Sequence, residues 1–216
     1  SLRAEHGTPV KEIARLLGVS VASVGVWVRD IEIDPAQRER NLRRAGQRRG
    51  KAWSERFREK RRRWQAEGRE RARRGAALHV AGCMLYWAEG SKSRTALKLT
   101  NSDPHMVGFF RRFLTDCLGI PVEQLSVSLN VYTNNGLSIE QIEDHWLRVL
   151  ELPRSVLRGH TLNNMPTSSS GKKRTLPYGV CMLKALKSTA YLQHIYGAIQ
   201  EYGGFEEPRW RDGLYG

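Results

Sequence analysis

No run of apolar residues approaches the ~20 that a membrane-crossing helix needs. The first residues do not resemble a signal peptide, and Ser1 in place of a start methionine suggests a trimmed N-terminus. Cysteine is scarce: Cys83, Cys117 and Cys181 are far apart and odd in number. That spacing excludes a disulfide framework and any CxxC metal site, and it fits a reduced compartment. A glycine-rich phosphate cradle is missing, which argues against nucleotide hydrolysis. Acidic residues are in deficit, 22 against 36 lysines and arginines, for a formal net charge of +14. The expectation is a cytoplasmic protein, nucleoid-associated in a prokaryotic or phage-infected cell, with no membrane partner and with nucleic acid as its polyanion.

At 216 residues the chain can hold one good core plus a smaller domain. Its positive charge is concentrated in one place. Residues 36–74 carry 17 Lys/Arg against five Glu, a local balance of +12, and the remainder is nearly neutral.

Ahead of that segment, residues 8–31 read as two short helices around a tight turn. Ile13, Ala14, Leu16 and Leu17 give the first helix an apolar face, and Gly18 ends it. Ser20 caps the next helix, along which Val21, Val24 and Val28 recur at helical spacing. The pattern from Ile13-Ala14 through Gly18-Val19-Ser20 to Val24 and Trp27 resembles a helix-turn-helix of the kind found in bacterial regulators and recombinases. That resemblance implies that Ser20, Ala22, Ser23, Gly25, Val26 and Arg29 face DNA in the major groove. A helical hairpin that only packs is the alternative.

Residues 34–75 contain three eleven-residue blocks starting at Leu42, Trp53 and Trp64, with Gly46, Phe57 and Gly68 at the fifth position of each. Eleven residues make about three helical turns, so the spacing predicts a long helix with one apolar stripe. Gly46, Gly50 and Gly68 each cost such a helix about 1 kcal/mol against alanine. An arm that orders only on DNA and a solvated charged linker are the alternatives. Arg43, Arg44, Arg48, Arg49, Lys51, Arg61 and Arg62 are the expected phosphate contacts, which add affinity and salt dependence without sequence preference.

Residues 76–90 form an apolar helix that ends in a carboxylate, Glu89, followed by Gly90, a residue suited to a left-handed helix end. An acid at a helix C-terminus meets an already negative dipole, so a basic side chain or a metal ion should lie near it. A strand follows over 95–100, with Leu97 and Leu99 on one face and Lys98 on the other. Asp103-Pro104 starts a helix carrying Val107, Phe110, Phe113, Leu114 and Cys117 inward. Residues 125–132 alternate as a strand, sending Ser126, Ser128, Asn130 and Tyr132 to a polar face that suits water or base edges. Asn134-Asn135-Gly136 is a turn, and Ser138 with Gln141 forms a capping box. Strands are expected over 156–163 and 178–186. Ser188 is expected to cap the last helix, and Thr167–Arg174 is a basic loop whose Lys172, Lys173 and Arg174 join the DNA-binding set.

A helix ending in acid-Gly, then strand, helix, strands and a final helix, resembles the LAGLIDADG homing-endonuclease domain over residues 76–200. Gly82 to Gly90 aligns on the nine-residue motif, with Leu85, Ala88 and Gly90 identical to it. Glu89 stands where the family carries its metal-binding acid, while Met84 and Trp87 depart from it. The resemblance implies an α+β fold: an N-terminal helix-turn-helix (1–33), a long basic helical arm (34–75), a LAGLIDADG-like saddle domain (76–203) and a tail (204–216). It further implies a homodimer joined along Gly82, Leu85, Tyr86 and Ala88. Two Glu89 carboxylates would then hold Mg²⁺ or another divalent metal, with Lys98 or Lys184 as supporting catalytic cation; Lys187 is a third choice that strand alternation leaves open. Site-specific, Mg²⁺-dependent cleavage of double-stranded DNA is the function implied. A non-cleaving regulator with a degenerate domain of this kind is the alternative, and a structural or RNA-associated basic protein is a third. His160 hints at an HNH nuclease but lacks a second histidine at a useful spacing, and His145 and His194 read as structural.

Overall fold

The computed structural model describes residues 2–3, 7–93, 95–132, 136–163 and 176–212. It is a mixed α+β chain that divides into two compact units, residues 1–57 and 58–216. The expected boundaries at residues 33/34 and 75/76 differ from this division, which falls inside the arm.

In the first unit, α1 (Val10–Leu17) and α2 (Val21–Trp27) surround a tight turn. Gly18 adopts φ 65°, a left-handed conformation with little penalty only for glycine. Its N–H closes the helix onto the Ala14 carbonyl. The Ser20 hydroxyl accepts from the Ser23 N–H at 3.0 Å and so caps α2. Ile13, Ala14 and Val24 are buried, with Val10 and Val28 packed against them. Leu16 and Leu17, expected on the buried face of the first helix, are exposed, as is Val21. The two helices are so short that one turn of each fills their contact.

The arm is one continuous helix, α3 (Pro35–Arg73), through all three of its glycines. Asp34 caps it, accepting from the Ala36 and Gln37 N–H groups, and Pro35 takes the first helical position, where no N–H is needed. The Asn41 amide donates to the Gly7 carbonyl at 2.6 Å.

The second unit is organised around a four-stranded sheet in the order β1-β4-β2-β3. Its strands are β1 (Leu97–Asn101), β2 (Leu125–Tyr132), β3 (Thr161–Asn163) and β4 (Val180–Ala185). β4 runs antiparallel to both β1 and β2, and β3 is parallel to β2. Leu97, Leu99, Val127, Leu129 and Leu183 lie on one face and join a single core with α4 (Ala77–Glu89), α5 (Pro104–Arg112), α6 (Ile139–Leu150) and α7 (Thr189–Gly203). A π-helical turn, Phe113–Cys117, extends α5. The Arg71 guanidinium donates to the Cys117 carbonyl at 2.6 Å, satisfying an acceptor at the end of that turn. Cys117 itself is only half-buried.

Three expected details differ. Over 156–163 only Thr161–Asn163 is strand; Val156 closes a 3₁₀ turn instead. Ser188 does not cap α7: its hydroxyl accepts from the buried Leu97 N–H at 3.0 Å. Gly90 is extended, at φ −70°, so it is not a left-handed helix end. A side chain there would collide with the Tyr86 ring and carbonyl, both 2.4 Å from the Cβ position, so close approach is what requires glycine.

The arm's last block belongs to this unit. Gln65, Gly68 and Ala72 are buried. A Cβ on Gly197 of α7 would stand 2.0 Å from the Gln65 carbonyl oxygen, so the two helix backbones nearly touch. The tail also packs: α8 (Pro208–Asp212) places Trp210 on Tyr196, with ring centroids 4.6 Å apart. The turn expected at Asn134-Asn135 and the basic loop with Lys172, Lys173 and Arg174 lie outside the described residues.

Candidate nucleic-acid interface

α2 presents an open surface. Ala22, Val26 and Arg29 are exposed and Ser23 is half-buried. Ser20 is exposed too, but its hydroxyl also lies 2.8 Å from that of Ser23. Ala22, Ser23 and Val26 share a short helix whose opposite side, at Val24, forms the unit's core, with Ser20 as its cap and Arg29 two residues past its end.

Beside α1, an open cleft is lined by Pro9, Glu12, Asn41, Arg44 and Arg48. Most arginines of α3 outside this stretch have carboxylate partners: Arg40 with Asp34, Arg43 with Glu39, Arg62 with Glu59. Arg61 donates to the Arg211 carbonyl at 2.5 Å, holding the tail. Arg44, Arg48, Arg49, Lys51 and Arg56 are exposed and make no ion pair among the described residues. Of the seven expected phosphate contacts, Arg44, Arg48, Arg49 and Lys51 are therefore unengaged, whereas Arg43, Arg61 and Arg62 are already bonded.

On the second unit, the sheet face away from the helices carries the polar residues named from the sequence. Strand register sets Lys98, Lys184 and Ser126 side by side across β1, β4 and β2. Thr100, Met182 and Ser128 form the next row, and Asn130 lies opposite Val180 and Thr161 beyond it. Asn130 is exposed, and Ser128 and Tyr132 are partly so, but Ser126 is only 6% exposed. It lies on an interior strand beside the long Lys184 side chain, so it is a poor candidate for direct contact. Like charges directly opposite on neighbouring strands destabilise a sheet, an effect that a bound anion at Lys98 and Lys184 would offset. Lys187 sits past the end of β4 with φ 49°.

Glu89 is exposed at the end of α4. The Asn101 amide lies 3.5 Å from its carboxylate, and the Lys92 amine donates to the Trp87 carbonyl in the same last turn. Burial pulls the Lys92 ammonium below its ordinary pKa, and the Glu89 charge opposes that shift. The cation demanded by an acid at a helix C-terminus is thus Lys92, two residues past Gly90. One carboxylate beside a lysine does not make a divalent-metal site, and no group of three or more His, Cys, Asp or Glu among the described residues could hold a metal ion. Two residues of the expected dimer helix are used by this chain's own core. Tyr86 is fully buried against Phe110, and the Phe113 ring fills the space that Gly82 leaves open. Leu85 is half-buried and Ala88 exposed.

The buried polar cluster nearby is self-contained. His79 and His194 face each other through Nε2 at 3.0 Å, and the Tyr202 hydroxyl meets His79 Nδ1 at 2.7 Å. Burial drives both imidazoles down to about 4, aided by the Arg71 charge at His79 and by His79 and then Arg71 at His194. They are neutral, hydrogen-bonded structural groups. His160 likewise accepts from the Leu129 N–H through Nδ1 and pairs with Glu143 through Nε2.

The chain matches no family model, curated protein or solved structure. The geometry alone therefore carries the functional reading. No helix among the described residues is long and apolar enough to cross a membrane.

Proposed function

We propose that this protein binds double-stranded DNA, with α2 reading the major groove and the unpaired cations of the arm neutralising backbone phosphates. The observation that carries this reading is the run Arg44, Arg48, Arg49, Lys51 and Arg56, exposed and free of carboxylate partners among the described residues while neighbouring arginines are paired. Isolated cations at such density repel one another, and a polyanion relieves that repulsion while releasing counterions. The Lys98–Lys184 row is a second basic patch with the same preference.

Cleavage is the second reading, favoured by the exposed Glu89 carboxylate at the end of a helix whose Ala81 and Ala88 are also exposed. It requires a LAGLIDADG-like homodimer that brings two Glu89 side chains to one Mg²⁺ site, because one chain supplies a single acid. Incubating the protein with a randomised duplex library and Mg²⁺, recovering bound DNA and mapping ends, separates the two readings. Enriched sequences with intact ends fit a regulator. Staggered ends that disappear in Glu89→Gln fit a nuclease. A library recovered without enrichment removes the sequence-reading role of α2.

A further inference from the structure

Gly46 and Gly50 are helical glycines that nothing in the described chain requires: a side chain at either would meet open space. Glycine inside a helix is unfavourable relative to alanine, so a partner is the natural user of the bare surface. The chain contains its own precedent. Gly68, two eleven-residue blocks after Gly46, is where another backbone approaches α3 within contact distance.

On an ideal helix Leu42, Gly46, Gly50, Trp53 and Phe57 fall on one face. Trp53 is 63% exposed, and its ring lies 4.6 Å from that of Phe57, tilted by 43°. The indole packs on Phe57 and leaves the surface over Gly50 open, since no side chain comes within 4 Å of that position. Arg49 and Arg56 border the face and have no ion-pair partner among the described residues. A second copy of the arm would set these cations against their own kind. A flat, sequence-tolerant aromatic surface flanked by cations suits an unpaired base with its phosphates.

We infer that the Gly46–Gly50–Trp53 face of the arm is a docking strip for single-stranded nucleic acid: a base stacks on Trp53, the strand lies over the glycines, and Arg49 and Arg56 hold its phosphates. This strip is separate from α2 but shares Arg49 and Arg56 with the cations proposed to hold duplex phosphates; it does not rest on that reading, because its distinguishing contact is the base on Trp53.

The test uses the full chain with a labelled oligothymidylate, and with its duplex as comparison, followed by fluorescence anisotropy. Three proteins are compared: wild type, Trp53→Ala and the double variant Gly46→Ala/Gly50→Ala. The single strand is expected to bind wild type, and Trp53→Ala to weaken it by roughly five- to a hundredfold. The double variant is expected to weaken it as well while raising the melting midpoint, because alanine is the better helix former; misfolding then cannot explain the loss. Duplex affinity should change little. The inference is overturned if wild type ignores the single strand or if the glycine variant binds it as tightly. Equal loss of single strand and duplex in Trp53→Ala would assign the face to duplex binding. A wild-type dimer that the glycine variant abolishes would assign it to a second copy.

Discussion

A Cβ on Gly68 would stand 1.9 Å from the carbonyl oxygen of His194, well inside any non-bonded contact. The helices α3 and α7 therefore cross on bare backbone. Around that crossing the buried Gln65 amide donates to the Gln193 side-chain oxygen at 2.7 Å. Gly68→Ala should destabilise the second unit by about 3 kcal/mol or more, since backbone cannot move aside as a side chain can. Gly46→Ala, the same exchange in open space, should stabilise the helix by about 1 kcal/mol. Urea midpoints read the opposite signs; two shifts of the same sign would contradict the packing described.

Ser188 and Ser138 make a similar contrast. Ser138 forms a capping box with Gln141 at an exposed helix start, so Ser138→Ala should cost about 1 kcal/mol. Ser188→Ala strands the buried Leu97 N–H, a loss of about 1–3 kcal/mol. Thermal midpoints should rank Ser188→Ala as the more damaging. A smaller effect there than at Ser138 would mean that the β1 N–H finds another acceptor.

Local chemistry made much of the fold legible: the Gly18 turn, the Ser20 cap, the Asp103-Pro104 start and the alternation of 125–132 each follow from a few adjacent residues. Long-range partners were not legible. Ser188 has the form of a helix cap, and only the fold brings Leu97 to it. The apolar residues of Gly82–Gly90 do not show which of them face Phe113 and Phe110 within the chain. In the arm, the repeat gave the apolar face and its glycines, but not which arginines carboxylates would neutralise. Lys92 was within reach of sequence reasoning, since a basic side chain near the last turn of a helix was already expected there.

The buried His79–His194 pair fixes an acid limit. Both imidazoles titrate near 4 in the folded chain against an ordinary 6.5. Between those values the unfolded chain takes up more protons, so the pair's contribution is fully present above pH 6.5 and is lost as pH falls toward 4. For one such group the loss is of order 3 kcal/mol. Chemical denaturation from pH 7 to pH 4 should show a steep fall that is reduced when His194 is replaced by Gln. A profile indifferent to that substitution would show the pair to be charged or solvated.

Lys98 and Lys184, opposite each other on β1 and β4, should reveal themselves by opposite effects in two assays. Lys184→Gln removes a like-charge pair and should stabilise the free protein by about 0.2–1 kcal/mol. The same change should weaken duplex binding at low salt. Unchanged binding would remove the sheet face from the interface.

The central claim is that unpaired arm cations hold duplex phosphates. Its most direct test is the salt dependence of duplex affinity in wild type and in Arg44→Ala/Arg48→Ala/Arg49→Ala. The account predicts that log K falls linearly with log salt in wild type, and that the triple variant flattens the slope by roughly 0.9 for each phosphate contact removed, with sequence preference intact. An unchanged slope, or no duplex binding by wild type at low salt, would contradict it.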